Sequence, residues 1–303
     1  MSNRPKRPRR SQLAVPGISE KMLAKAAASM ADHVFLDLED AVAPNKKVEA
    51  RSKIITALNT LDWGKKTRCV RINDLTTKFC YEDIIEVVKG AASNLDTIML
   101  PKAMCASDVR FVDTLLSQIE MNLGLTRKIG LEVLIEEVEG LQNVEEIAHS
   151  CERLEAIIFG MGDYSASHGI DARTIGGGGD YPGDVWHYAR FRMVMAARAA
   201  GIDAIDGPYA NFGDTEGYTE ECRRAMTLGC VGKWAIHPAQ IEPALTVFSP
   251  KLKEIARARQ MEEAYVKAEA EGLGSVNVGG IMVDAASIRI VRNVIAKAEL
   301  LGL

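Results

Sequence analysis

Short runs of branched apolar residues, each closed by a charged residue or by proline and glycine, alternate along this chain with longer stretches of helical spacing. Gln12-Leu13-Ala14-Val15 predicts a strand stopped by Pro16-Gly17, after which Ser19 can cap a helix through Met22, Leu23, Ala26 and Ala27. His33 to Leu38 predicts a second strand running into Glu39-Asp40, followed by a helix from Val48 to Leu58. Cys69 to Asn73 and Thr97 to Lys102 predict the third and fourth strands, with helices from Tyr81 to Lys89 and Val109 to Leu123 after them. The fifth and sixth strands are the focus of the pattern. Leu131-Glu132-Val133-Leu134-Ile135-Glu136 and Ile157-Ile158-Phe159-Gly160-Met161-Gly162-Asp163 each read as a buried strand with an acid at its end, separated by a helix near Val144 to Ala148.

Between Gly169 and Tyr188 the alternation loosens into Gly176-Gly177-Gly178-Gly179, too glycine-dense for the interior of a helix or strand. A loop over a site and a solvent-exposed connector are both open readings. A helix from Trp186 to Ala200, a strand at Ala204 to Pro208, a helix from Glu216 to Leu228 and a strand at Gly232 to Pro238 complete eight repeats in roughly 240 residues, close to the ~250 typical of a parallel barrel. The expected fold is therefore an α/β (β/α)8 TIM barrel, with a doubly wound sheet as runner-up. Polar residues end nearly every strand, and only a closed barrel collects all those ends on one face. The texture changes near residue 249. Residues 1–248 are expected to form the catalytic barrel with a basic N-terminal tail. Residues 249–303 should form a helical lid or oligomerisation segment, with helices at Leu252 to Glu271 and Ser287 to Leu301 and a glycine-bearing loop between them.

Composition adds limits rather than direction. The 303 residues are 47% hydrophobic and 26% charged, with a net charge of −4, which offers no global field for nucleic acid. The exception is local: Arg4, Lys6, Arg7, Arg9 and Arg10 crowd the N-terminus, as a solvated tail or as a phosphate contact. Six cysteines show no CxxC or metal-finger spacing and are expected to be reduced packing residues. Neither a bilayer-length apolar run nor a signal-like segment is found, so a cytoplasmic location and no membrane partner are the expectation.

The candidate chemistry lies at the strand ends. If neighbouring strands bring Glu136 and Asp163 together, their like charges need a proton or cation between them, and an all-oxygen donor set suits a hard ion such as Mg2+. Arg71 lies within an apolar strand, where a guanidinium needs anions: an ion pair with Glu39 or Asp40, or a substrate oxyanion. Glu132 shares the face of Glu136 at period two but lies deeper, where Lys102 or Arg71 is its expected partner. Asp37 and Glu39 share another face and can orient the arginine or metal-bound water. His237, next to Pro238, reads more readily as a hydrogen-bonded histidine than as an acid or base.

With these residues laid out, the chain resembles the malyl-CoA lyase/citrate lyase β-subunit-like family of the 2-keto-acid aldolase superfamily. The resemblance rests on Leu36-Asp37-Leu38-Glu39-Asp40, Leu61-Asp62-Trp63-Gly64, Val70-Arg71-Ile72-Asn73, Leu100-Pro101-Lys102, Glu132 to Glu136, Asp206-Gly207-Pro208, Gly232 to Pro238 and Val283-Asp284-Ala285. It implies an Mg2+-dependent, Mn2+-tolerant lyase acting on acyl-CoA and small 2-oxo acids, cleaving malyl-CoA and β-methylmalyl-CoA. Citramalyl-CoA cleavage and malyl-CoA thioester hydrolysis are the neighbouring alternatives, and a non-enzymatic nucleic-acid-binding barrel is a remote one. By the same resemblance, Glu136 and Asp163 hold the metal and Arg71 offsets enolate charge. Arg10 and Lys25 contact coenzyme A, while Asp37, Glu39, Asp40 and Pro238 are further substrate-side positions. Asp284, otherwise a helix cap, becomes a proton-transfer group supplied by the neighbouring copy of a homotrimer or hexamer.

Overall fold

Strand-prone runs recur between helices, and in the computed structural model, which describes residues 4–170, 175–176 and 183–303, eight of them pair in chain order into a closed parallel barrel. They are β1 (Ser11–Pro16), β2 (His33–Asp37), β3 (Thr67–Arg71), β4 (Thr97–Leu100), β5 (Gly130–Ile135), β6 (Leu154–Phe159), β7 (Asp203–Asp206) and β8 (Gly232–Ala235). Closure comes from β1 on β8, with Ser11 opposite Lys233 and Leu13 opposite Ala235. The doubly wound alternative is thereby excluded.

Parallel neighbours need a return path, and helices supply it outside the barrel. These are α1 (Glu20–Ala27), α2 (Lys47–Thr60), α3 (Cys80–Ala91), α4 (Ala106–Leu123), the short pair α5 (Val138–Gln142) and α6 (Val144–Ala148), α7 (Met161–His168), α8 (His187–Ala200), α9 (Thr215–Leu228) and α10 (Ile241–Val247). Val34, Leu36, Val70, Ile98, Leu131 and Ile157 point outward into the layer beneath these helices and are fully buried. Each such side chain contributes about 1.5–3 kcal/mol. One element departs from the pattern reading: α7 begins directly after Gly160, so Asp163 lies in the first turn of a helix and not at a strand end.

Inside the barrel, period-two alternation sorts side chains by depth. Phe35, Cys69, Met99, Leu134, Ala156, Ile158, Ile205 and Trp234 fill the middle. Below them Glu132 is fully buried, and its partners correct the expected ones. Its Oε1 lies 2.9 Å from His33 Nε2 and 3.4 Å from the Arg9 guanidinium, and its Oε2 accepts from Gln12 at 3.1 Å. Lys102 and Arg71 lie at the other end of the strands, since four residues of strand separate Glu132 from Glu136 by about 13 Å. The first arginines are not a solvated tail either. Arg9 also reaches Glu155 at 2.5 Å and Asp203 at 3.0 Å, and Arg4 donates to the carbonyls of Glu152, Ala200 and Cys151.

The contacts divide the chain into a unit of residues 1–5 and Arg9–Phe248 and a second of Lys6–Pro8 and Ser249–Leu303. The second contains α11 (Leu252–Ala270), β9 (Ser275–Val278), β10 (Ile281–Asp284) and α12 (Ser287–Leu301), with Met261, Tyr265, Val283 and Ile288 as its core. The expected glycine-bearing loop is in fact an antiparallel hairpin. Gly279 and Gly280 turn it at φ +58° and +83°, the left-handed pair that tight hairpins require. No helix among the described residues is long and apolar enough to cross a membrane.

Candidate active site

A cleft of 630 Å³ opens at the C-terminal ends of the barrel strands, lined among others by Pro16, Asp37, Asp40, Arg71, Glu136, Asp163, Pro208, Trp234 and Ile236. Arg71, the last residue of β3, is gripped by the last residue of β2: its Nε donates to Asp37 Oδ1 at 2.7 Å and its Nη2 to Oδ2 at 2.6 Å. This fork-to-fork geometry resists rotation as well as separation. Nη1 faces Glu39 Oε2 at 2.9 Å and Asp40 Oδ2 at 3.2 Å, and the Phe35 and Trp234 rings lie 5.8 and 5.7 Å from the guanidinium carbon. Burial alone would raise the Asp37 carboxyl, but Arg71 outweighs it and holds the group below the usual carboxylate range.

Glu136 follows β5 with only 2% of its surface exposed. Its Oε1 accepts the Lys102 backbone N–H at 2.9 Å. A Cβ on Gly160 would fall 2.5 Å from both Glu136 Cβ and Oε2, so the bare glycine at the end of β6 makes room for this carboxylate. Burial, then the charge of Glu39, pushes Glu136 up to about 8, with Asp163 adding to the shift against Lys102 and Arg71. Glu39 is likewise pushed up to about 7 by burial, Arg71 opposing and Asp40 reinforcing. Lys102 ties these groups together: its Nζ donates to Glu39 Oε1 at 2.6 Å and lies 3.7 Å from Asp163 Oδ2.

The arrangement fits a divalent cation on its own terms. Asp37, Glu39, Asp40, Glu136 and Asp163 set five carboxylates against the two cations Arg71 and Lys102. Glu39 Oε2 is buried without a hydrogen bond, its contact with Arg71 being out of line. Two carboxylates with open space beside them suit a hard ion that keeps water and substrate as its other ligands. A different trio, His33, Cys69 and Glu132, has its ligand-type atoms within 4.8 Å of one another. It does not fit, because the Arg9 guanidinium already meets the same Glu132 oxygen.

Other sequence candidates lie elsewhere. Arg10 precedes β1 at the opposite end of the barrel and is bound to Asp32 at 2.7 Å through both Nε and Nη2. Lys25 is exposed in the last turn of α1, and Pro238 is exposed in the turn after β8, with neither lining the cleft. His237 Nδ1 accepts the Ala239 N–H at 3.2 Å, a local cap, and its ring stacks on Phe212. In the second unit Asp284 Oδ1 accepts from the Ala286 and Ser287 N–H groups and from Ser287 Oγ, and these bonds lower its carboxyl. Apart from Gly176 and Gly183, the glycine-rich stretch lies outside the described residues. Sequence reasoning did not reach Lys102, Gly160 or Trp234 as site residues; the signals were the Leu100-Pro101-Lys102 motif, the Ile157 to Asp163 run and the Gly232 to Pro238 motif that contain them.

Residues 10–238 match the HpcH/HpaI aldolase/citrate lyase family. An L-malyl-CoA/beta-methylmalyl-CoA lyase of Cereibacter sphaeroides is 45% identical over 308 residues, covering 98% of this chain and 97% of its own length. A (3S)-malyl-CoA thioesterase of the same species is 35% identical, with 96% and 95% covered. Among solved structures, protein CitE of Mycobacterium tuberculosis in complex with magnesium, acetoacetate and coenzyme A matches 95% of this chain and 97% of its own at 29% identity, with a TM-score of 0.74.

Proposed function

Since the chain belongs to the HpcH/HpaI aldolase/citrate lyase family, we propose that it is a divalent-cation-dependent carbon–carbon lyase. It cleaves malyl-CoA to acetyl-CoA and glyoxylate, and β-methylmalyl-CoA to propionyl-CoA and glyoxylate. The observation that carries this reading is the convergence of Glu136, Asp163 and Arg71 on one cleft at the strand ends. Glu136 and Asp163 would hold the cation, Mg2+ before Mn2+, which when bound supplies a Lewis acid for the oxygens of the oxo acid.

In the cleavage direction the substrate hydroxyl loses its proton, the carbon–carbon bond breaks, and its electron pair passes to the thioester as an enolate that takes a proton at carbon. Arg71, immobilised by Asp37 below and two rings beside it, sets a fixed positive charge where that enolate forms, and a preorganised charge needs no rearrangement during reaction. Phe35 and Trp234 keep the floor of the cleft apolar. Asp284 of a second copy is the group we assign to proton transfer.

Thioester hydrolysis is the second reading, favoured by the thioesterase relative. A coupled assay separates the two: lyase action releases glyoxylate with acetyl-CoA, whereas hydrolysis releases free coenzyme A without glyoxylate. Glu136→Gln and Asp163→Asn should each reduce Mg2+-dependent turnover by at least ~100-fold with circular dichroism unchanged. Wild-type turnover in either variant rules out the assignment of the metal ligands.

A further inference from the structure

We infer that Lys102 is a positioning residue whose ammonium limits how tightly the carboxylate cluster takes its divalent cation and keeps the loaded site attractive to anionic substrate. The inference rests on the metal reading above and deepens it. Lys102 stands at the tip of β4, between the acids that follow β2 and those that follow β5 and β6. Its Nζ is 2.6 Å from Glu39 Oε1, 3.7 Å from Asp163 Oδ2 and 3.9 Å from Asp40 Oδ1, so one charge answers three carboxylates from two different segments of the chain. Its main chain serves a fourth, donating to Glu136 Oε1 at 2.9 Å.

The backbone pays no ordinary role here. Lys102 has φ +49°, and among the described residues no other non-glycine has a positive φ. A side chain in that region is strained, and such a conformation persists only where surrounding contacts hold it. Both of the holding contacts are to carboxylates of the cluster, Glu136 and Glu39.

The sign of the effect follows from charge. Without the ammonium, the five acids would face Arg71 alone and would draw a dication more strongly. The more completely they neutralise it, the less positive potential remains for the carboxylate of an oxo acid. Removing the charge should therefore tighten cation binding and weaken anion binding together. A merely structural lysine predicts the reverse for the cation, because displaced ligands bind it less well.

The test uses the full-length chain stripped of metal, with Mn2+ as the probe and free Mn2+ read by electron paramagnetic resonance. Lys102→Met removes the charge and keeps the length; Lys102→Gly removes it and relieves the backbone strain, keeping the N–H to Glu136. Both should bind Mn2+ about tenfold more tightly than wild type, and the Mn2+-loaded variants should bind glyoxylate more weakly in calorimetric titration. Mn2+ affinity unchanged or reduced in both variants, with wild type binding and Glu136→Gln not, overturns the inference and leaves the metal reading intact. Equal Mn2+ binding by wild type and Glu136→Gln overturns both.

Discussion

Replacing Gly160 with alanine tests the site through a single methyl group. The glycine has φ −87° and ψ 73°, a conformation open to alanine, so the substitution adds little backbone strain. What it adds is a carbon 2.5 Å from both Glu136 Cβ and Oε2, where ordinary contact begins near 3.4 Å. The Glu136 Cβ is fixed to its backbone and cannot swing aside, and its carboxylate is buried and held by the Lys102 N–H. The carboxylate must shift by about 1 Å, a displacement that costs on the order of 100-fold in rate when it moves a group that positions the reacting atoms. Overpacking of this kind costs about 1–3 kcal/mol of stability. Steady-state turnover of malyl-CoA against Mg2+ concentration should show kcat/KM down roughly 100-fold and a higher Mg2+ concentration for half activation, with urea unfolding reporting the stability loss separately. Gly162→Ala is the control. Its new methyl meets only the tip of Ile175, at 3.0 Å, and should alter turnover less than about threefold. Wild-type Mg2+ activation in Gly160→Ala would refute the argument that this glycine exists to seat Glu136.

Asp37→Asn removes one partner of a nearly buried bidentate pair and should cost about 3 kcal/mol in urea unfolding while lowering kcat; retention of both would mean that Arg71 does not depend on Asp37 for its position. Acid stability should depend on Glu132. Burial alone would raise this carboxyl, yet His33 and Arg9 bring it down from 4.5 to about 2. A carboxyl depressed on folding adds stability that is complete above its unfolded value and disappears as pH falls through the folded one, so the loss should lie between about 4.5 and 2. Glu132→Gln should flatten that acid limb and lower stability at neutral pH, and an unchanged acid transition would count against the floor network.

How much could be read in advance differs between fold and site. The short apolar runs at His33 to Leu38, Cys69 to Asn73 and Leu131 to Glu136 marked buried strands with polar residues in or after them, and the number of such runs matched a barrel, because this patterning is a local property of the chain. Even depth was partly legible: Glu132, within β5, lies below Glu136, which directly follows that strand. The partners were not. Glu132 was expected to meet Lys102 or Arg71 and instead meets Arg9, which lies more than a hundred residues away in sequence and arrives only when β1 closes against β8. The hairpin at Gly279-Gly280 was missed for a related reason: paired glycines mark a turn, and whether the flanking residues then pair is settled by their packing on α11 and α12.

The amino-acid order by itself determined the eight barrel strands, the helices between them and most of the acids and bases at the strand ends, since these follow from side-chain spacing and the chemistry of single residues. Only the tertiary structure decided that Asp37 holds Arg71, that Gly160 vacates the space Glu136 fills, that Lys102 sits among three carboxylates, and that Arg10 lies at the wrong end of the barrel for the cleft. Those relations join residues from separate strands, and their distances do not exist until the barrel has closed.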